Sequence, residues 1–372
     1  MLHPAQDPVF KLYGAERSYF TGKLRPALRA KRLYFEEILL DPESAREIRE
    51  RTGIMFIPVL RTPENDLWQD TSDILDLIEA RFPKPALFPG SPVQAVVSSL
   101  LEIYGDEFMI LPAMHYRWTK PEWEADARLA FAAGSGNKVA ASVFADRMSG
   151  ALPMLGVSEA TIPAIVAHLD DLLARMETLL CDQDFLLGAQ VSVGDCAMMG
   201  PFYGHLYLDL GPGQIVREQA HVAHWIERMN HPDPGSFAGF LAGDALHPSL
   251  RAILELIGRD AVPLLLDGVR AFESWADSHA ASTREPPRAV GMHATQLRGV
   301  EFQRMASSYT LYMLQRPIDT YRALAEDDRK AVDRALAGTG CEPLLAYEPR
   351  HRLVKRDYQL AFADGLDAES RS

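Results

Sequence analysis

Three hydroxyl side chains, Ser18, Tyr19 and Thr21, lie close together near the start of the chain. Apolar side chains then recur at spacings of three to five, which predicts a helix with Ser18 at its N-cap. A hydroxyl hydrogen bond and the positive end of a helix both favour the ionised form of a bound acid. Ser18 is therefore placed to stabilise an anion, and the alternative is that it only caps the helix.

A second group of candidate residues consists of Gln69, Asp70 and Thr71. They precede apolar side chains at helical spacing, which predicts a helix that ends at Pro83. Asp70 or Thr71 is a good N-cap, and the free N–H groups of a helix start can bind an anion. The segment is a cap, a binding site for a charged ligand, or both.

The elements that must position these residues alternate between strand and helix. Strands are predicted at residues 9–13 and 34–40 around the first helix, and a second helix begins at Asp41 and ends at Gly53. Two more strands flank a short turn at residues 62–66. Because a crossover implies a parallel pair and a short turn an antiparallel one, the order predicts a thioredoxin-like domain.

Pro58 lies inside the apolar run at residues 54–60. Proline cannot donate to a sheet ladder, so it marks an edge, a bulge or a cis turn. At this point the residues leave all three alternatives open.

The first predicted helix also carries a basic cluster: Lys23, Arg25, Arg29, Lys31 and Arg32. Clusters of this kind most often form the solvated face of a helix. We therefore expect these side chains to be exposed.

Composition excludes several classes of protein. The chain has 372 residues, 47% of them hydrophobic and 24% charged, which fits two or three globular domains. The net charge is −13, and an acidic middle argues against a nucleic-acid surface. Cys181, Cys196 and Cys341 have neither disulfide nor metal spacing. Without an apolar run of ~20 residues or a signal-peptide core, we expect a cytoplasmic protein with no membrane partner.

Two stretches resemble the glutathione-binding domain of glutathione transferases. They are PVFKLYGAERSYFTGKLRPALRAKRLYFEEILL and GIMFIPVLRTPENDLWQDTSDILDLIEARFP. The resemblance covers residues 8–90 and extends more loosely to about residue 230. It implies a thioredoxin-like N-terminal domain, an all-α glutathione-transferase C-terminal domain and glutathione as cofactor.

The resemblance also implies that the Ser18 hydroxyl stabilises the glutathione thiolate. A free thiol has a pKa near ~8.5, and a hydrogen bond to a charged group contributes ~1.5–3 kcal/mol. Tyr19 and Thr21 are the neighbouring hydroxyls that could replace Ser18. No cysteine lies near it, which argues against the thiol reductases of this superfamily.

Five further residues are implied to bind the cofactor: Ile57, Pro58, Gln69, Asp70 and Thr71. Pro58 matches the family's cis proline, so we predict a cis peptide bond between Ile57 and Pro58. The backbone of Ile57 would then pair with the cysteinyl part of glutathione. Asp70 would receive the glutamyl ammonium, and Thr71 with the helix start its carboxylate. The family usually has a Glu-Ser pair here, so Asp70 is shorter by one methylene.

The rest of the chain reads as mostly helical. Long helices are predicted at residues 92–118 and 158–181, and Ser192 with Asp195 resembles a capping box. We expect a glutathione-binding domain at residues 1–86, a helical domain at 92–235 and a mostly helical extension at 236–372 that packs on the helical domain.

The resemblance places a substrate site along the first long helix. Tyr104, Glu107 and His115 are its candidate residues, and the alternative is that they are satisfied core or interface groups. Residues 281–290 look like a linker, and residues 340–360 like strands or an extended arm. No motif in the extension indicates its function.

The predicted function is that of a glutathione transferase acting on alkyl or aryl groups. Its partners would be glutathione and a small hydrophobic electrophile, and we expect a homodimer without a metal or nucleic acid. Two alternatives remain: a non-catalytic binding or scaffold protein of this fold, and a glutathione-dependent lyase, dehalogenase or isomerase.

Overall fold

A four-stranded sheet forms the N-terminal part of the fold. The computed structural model describes residues 9–135 and 137–363. The strands are β1 (Phe10–Tyr13), β2 (Phe35–Ile38), β3 (Val59–Arg61) and β4 (Leu67–Gln69). Their order is β2-β1-β3-β4, with β1 parallel to β2 and antiparallel to β3. This is the thioredoxin-like layout predicted from the sequence.

Local signals set the helices that pack on this sheet. They are α1 (Tyr19–Ala30), α2 (Pro42–Thr52) and α3 (Thr71–Arg81). Ser18, Asp41 and Asp70 each accept a backbone N–H of the helix that they precede. Gly53 ends α2 with a φ of 73°, which only glycine adopts without cost.

An all-helical part follows. A π-helical segment, Tyr104–Phe108, joins its first two helices, and a second one, Phe202–Tyr207, follows the helix Val193–Pro201. The elements are α4 (Pro92–Ile103), α5 (Ile110–Trp118), α6 (Pro121–Ala133), α7 (Lys138–Gly150), α8 (Leu152–Leu155), α9 (Ile162–Asp182), β5 (Gly188–Ala189), α10 (Val193–Pro201), α11 (Leu210–Arg217), α12 (Ala220–Asn230) and β6 (Gly239–Phe240).

The capping box at α10 is confirmed. Ser192 accepts the backbone N–H of Asp195 at 3.1 Å, and the Asp195 carboxylate accepts the Ser192 N–H at 3.0 Å. The same carboxylate accepts the indole N–H of Trp225 at 3.1 Å. Helix α10 also crosses α1 closely, since a Cβ on Gly22 would lie 3.2 Å from the carbonyl oxygen of Met199.

The C-terminal extension is mostly helical, as predicted. The elements are α13 (Pro248–Leu256), α14 (Val262–His279), β7 (Ala289–Leu297), β8 (Val300–Ser307), α15 (Ser308–Arg322), α16 (Glu326–Leu336), α17 (Glu342–Leu345), β9 (Leu353–Arg356) and β10 (Gln359–Phe362). A π-helical segment, Ile257–Ala261, joins α13 to α14. The β7–β8 hairpin has no counterpart in the sequence expectations.

One apolar core runs through all three parts of the chain. Leu24 of α1, Leu100 of α4, Phe272 of α14 and Leu314 of α15 belong to the same buried cluster. The domain limits 1–86, 92–235 and 236–372 stay a prediction. In the described part of the chain, none of the helices combines the length and hydrophobicity of a membrane span.

The predicted exposure of the basic cluster is wrong for Lys23, Arg25 and Lys31, which are buried. The Lys23 ammonium donates to Glu102 Oε1 at 2.8 Å and to Asp106 Oδ2 at 2.6 Å. A buried charge is tolerated only when it is paired, and the two carboxylates on the facing helix pair it. Lys23 thus joins the N-terminal part to the helical part.

Candidate functional site

A cavity of about 300 Å³ lies between the N-terminal sheet and the C-terminal extension. Five residues that the sequence predicted as cofactor-binding line it: Ile57, Pro58, Gln69, Asp70 and Thr71. They come from the segment before β3 and from the junction of β4 with α3. The fold therefore brings two separate sequence motifs to one pocket.

The peptide bond between Ile57 and Pro58 is cis, so that prediction is confirmed. Next to it, the side-chain amide of Gln69 donates to the carbonyl oxygen of Phe56 at 2.9 Å. Within the described residues, the other amide atom, Gln69 Oε1, is buried and accepts no hydrogen bond. A buried acceptor without a partner at a cavity wall suits a ligand that donates an N–H or an ammonium group.

Asp70 adopts a φ of 78° at the N-cap of α3. Residues with a Cβ rarely adopt this backbone region, which costs of order 1–3 kcal/mol. The Oδ1 atom accepts the backbone N–H of Ser72 at 3.0 Å, which fixes the side chain over the helix start. Thr71 is buried beside it. The carboxylate is thus held at the positive end of a helix.

The extension supplies the other partners of this carboxylate. The Tyr309 hydroxyl and the Lys355 ammonium both donate to Asp70 Oδ2. Lys355 also lies 2.9 Å from Asp73 Oδ2, and the Tyr312 hydroxyl donates to Asp73 Oδ1 at 2.7 Å. Two tyrosines and one lysine therefore fasten the extension to the first turn of α3.

These contacts shift the pKa values of the two aspartates in opposite directions. Burial opposes ionisation of Asp70, but the charge of Lys355 and the hydrogen bonds from Lys355 and Tyr309 outweigh it, so its pKa is lowered. Burial and the nearby Asp70 charge raise the pKa of Asp73 against the pull of Lys355. Asp70 is the carboxylate that the extension keeps ionised.

Ser18 lies half-buried at the N-cap of α1, where its Oγ accepts the backbone N–H of Thr21 at 3.4 Å. Ser18 itself does not line the cavity, whereas Phe20, two residues on, does. The Tyr19 hydroxyl is buried and donates to the carbonyl oxygen of Gly105. Thr21 is fully buried. Of the three hydroxyls predicted as alternatives, Ser18 keeps partial exposure.

Burial, with the charges of Asp106 and Glu107, raises the pKa of Tyr19 well above its ordinary value. The phenol therefore stays protonated at neutral pH. A buried, protonated phenol that already donates to a carbonyl is not free to donate to a ligand thiolate.

The structure does not bring Tyr104 and His115 to this pocket. Tyr104 is buried with its hydroxyl 2.7 Å from Nε2 of His168. His115 is buried with Nδ1 2.9 Å from Oγ1 of Thr119, and burial, with Lys120, lowers its pKa to about 4. Both side chains belong to the polar core of the helical part.

Glu107, the third predicted substrate residue, contacts the extension. Its carboxylate accepts the Thr310 hydroxyl at 2.6 Å, in the first turn of α15. Burial raises the pKa of Glu107 despite that hydrogen bond. The pocket residues Ser308 and Tyr309 precede Thr310 directly.

Sequence reasoning missed the residues that the extension contributes to the pocket. Arg288 lies 4.7 Å from the ring centroid of Phe56 and 5.3 Å from that of Tyr309. Among the residues that the structure describes, no carboxylate forms an ion pair with Arg288. Lys355 and Tyr358 complete this wall. No local pattern links these residues to the distant Asp70; only the aromatic content of the extension signalled that it packs somewhere.

A thioredoxin-like domain followed by an all-helical domain defines the glutathione-transferase class of fold. The chain matches the glutathione S-transferase N-terminal domain over residues 12–86. It matches the glutathione S-transferase C-terminal domain over residues 140–233. The chain therefore contains stretches that match both domains of the glutathione S-transferase family. No curated protein matches the chain significantly.

Solved structures similar to this chain include three bacterial proteins. A glutathione S-transferase from Methylobacterium radiotolerans, in complex with glutathione sulfonate, is 20% identical over 62% of this chain and 94% of its own, with a TM-score of 0.39. One from Rhodospirillum rubrum is 17% identical over 66% and 91%, with a TM-score of 0.40. The β-etherase LigF from Sphingobium is 18% identical over 60% and 96%, with a TM-score of 0.39. The similarity to the glutathione S-transferase family depends on the two sequence matches.

Proposed function

We propose that the protein binds glutathione in this pocket, favours its thiolate beside Ser18 and directs it at a small hydrophobic electrophile. The observation that carries the proposal is the meeting of Ile57, Gln69, Asp70 and Thr71 at one cavity. The buried acceptor of Gln69 and the start of α3 match a ligand with both an N–H donor and a carboxylate. Bound glutathione would supply the nucleophilic sulfur.

Each residue has a role that follows from its position. The backbone of Ile57 is placed to pair with an extended peptide. Gln69 Oε1 offers an acceptor to an ammonium group, and Asp70 would offer a second one only after Lys355 moves away from it. Thr71 with the α3 N-terminus offers donors to a carboxylate. Ser18, at the positive end of α1, donates to an anion and so favours the thiolate over the thiol. Arg288 adds a cation at the pocket wall.

The test is a pH titration of the thiolate absorbance of glutathione in the presence of the full-length protein. We expect saturable binding and an apparent thiol pKa one to two units below the free value of ~8.5. A panel of alkyl and aryl electrophiles then measures turnover. If glutathione binds without turnover of any electrophile, the protein is a binding protein of this fold.

Location and assembly are part of the same proposal. We propose that the protein is cytoplasmic, because its similarity to glutathione S-transferases and the absence of a cysteine framework both suit a reducing compartment. We also propose that it is a homodimer. Light scattering of the purified protein tests the dimer. A monomer at every concentration would remove that part alone.

A further inference from the structure

Asp70 is already occupied by groups of its own chain. Its Oδ1 atom accepts the Ser72 N–H, and its Oδ2 atom accepts both Tyr309 and Lys355. The side chain of Asp70 is 11% exposed, which leaves little room for another cation at the carboxylate. The Lys355 ammonium lies where an ammonium group of a ligand would have to bind.

Lys355 is held in this position by the hairpin that carries it. The Tyr358 hydroxyl, at the turn between β9 and β10, donates to the carbonyl oxygen of Leu67 at 2.8 Å. The Gln315 side chain bonds both backbone groups of Leu353, each at 2.8 Å. The Lys355 side chain is only 16% exposed. It is therefore a built part of the pocket and not a mobile surface lysine.

The two carboxylates that could bind a ligand ammonium group are already paired with a lysine of the same chain. Lys355 bridges Asp70 and Asp73, so the two carboxylates already share a cation. Arg288 lines the cavity and has no ion pair within the described chain. A ligand with a carboxylate has a free cation to bind, whereas a ligand ammonium must displace Lys355 from Asp70.

We infer that Lys355 is a specificity-determining residue that fills the ammonium subsite at Asp70, so that the pocket prefers an acidic thiol ligand without an α-ammonium group. This inference rests on the proposed function, since it concerns the same pocket. The preferred ligand class is a carboxylate-bearing thiol whose acidic arm is deaminated or acylated. Glutathione itself binds only at the cost of moving Lys355.

The test compares two probes, glutathione and its deamino analogue glutaryl-cysteinyl-glycine, by calorimetric titration of the full-length protein. We expect the wild type to bind the analogue at least tenfold more tightly than glutathione. Lys355→Met should raise the affinity for glutathione about tenfold and change that for the analogue less than threefold. Tyr309→Phe, which removes a second partner of Asp70, should shift the preference in the same direction by a smaller factor.

Arg356→Met is the matched control, because Arg356 is the next residue of β9, is exposed and points to the opposite face of the strand. It should leave both affinities unchanged. A wild type that prefers glutathione, or a Lys355→Met variant that binds glutathione more weakly, overturns the inference and leaves the proposed function standing. If neither thiol binds any variant, the proposed function fails and the inference fails with it.

Discussion

Ser18 has two roles, the N-cap of α1 and the proposed donor to the thiolate. Ser18→Ala removes both, and each loss has its own measurable effect. Ser18→Ala should cost ~1 kcal/mol of stability through the lost cap. It should also raise the apparent pKa of bound glutathione thiol by one to two units, because a hydrogen bond to a charged group contributes ~1.5–3 kcal/mol. Most of the binding affinity should remain.

The control for Ser18→Ala is Ser91→Ala, since Ser91 caps α4 by accepting the Gln94 N–H at 3.3 Å and, unlike Ser18, has no pocket residue within two positions of it in the sequence. It should lower the free energy of unfolding without moving the thiol pKa. Thiolate absorbance against pH measures the second effect. An unchanged thiol pKa in Ser18→Ala would assign that role to the helix terminus alone.

Lys23 is the residue whose loss should destabilise the fold most among the basic side chains of α1. Its ammonium is fully buried and donates to Ser72, Glu102 and Asp106. Lys23→Met leaves the buried Asp106 without its cation and leaves Glu102 with Arg316 alone, and breaking a buried ion pair typically costs about 3–5 kcal/mol. Urea unfolding measures the loss. Lys330→Met, which removes an exposed pair with Glu326, should cost under ~1 kcal/mol.

The π-helical segment Tyr104–Phe108 carries an acid that titrates near neutrality. Burial, with repulsion from Glu102, raises the pKa of Asp106 to about 7 in spite of Lys23. Burial also opposes ionisation of Glu102, but Arg316 and Lys23 lower its pKa to about 2. Arg316 and Lys23 thus keep Glu102 ionised at low pH, while Asp106 takes up a proton.

The pH dependence of stability follows from the direction of that shift. An unfolded aspartate has a pKa near ~3.9, so between about pH 4 and 7 the folded state binds the Asp106 proton and the unfolded state does not. This contribution is present at low pH and is lost as the pH rises through 7. Asp106→Asn should flatten the fall in unfolding free energy between about pH 4 and 7. Urea unfolding at four pH values gives the comparison, and parallel curves would refute it.

Helices α2 and α10 show which elements can be predicted from local sequence. Asp41, Gly53 and the Ser192–Asp195 box mark their ends by hydrogen bonds to neighbouring residues, and such signals are short-range. The β7–β8 hairpin lacks them, because its turn, Arg298 with Gly299, sits in a polar stretch without a clear alternation. The apolar run 54–60 gave only the short β3, since Pro58 interrupts it.

At the scale of the whole molecule, the predictable part of the pocket was its N-terminal side, and the side formed by the extension was not predicted. Ile57, Pro58 and the 69–71 motif lie within a short stretch of chain, so their spacing carries information. Tyr309 and Lys355 reach Asp70 across 239 and 285 residues of sequence. Such contacts depend on how α15 and the β9–β10 hairpin pack. The burial of Lys23 was missed for the same reason, since Glu102 and Asp106 lie on another helix.

The extension should stay attached after the chain is cut in the predicted linker at residues 281–290, the last two of which belong to β7. Leu311, Leu314, Ile318 and Leu353, all beyond the linker, are buried in the common core, and burying four such side chains contributes about 6–12 kcal/mol. Arg316 adds hydrogen bonds to Asp76 at 2.7 and 2.9 Å.

Limited trypsin treatment tests this, because the linker arginines are exposed. The two fragments should run as separate bands in denaturing gels, yet elute together from a native sizing column and separate only after unfolding. The nicked protein should also keep its Asp70 contacts and hence its ligand preference. A C-terminal fragment that elutes alone, with the remainder soluble and active, would show that the extension is an independent module.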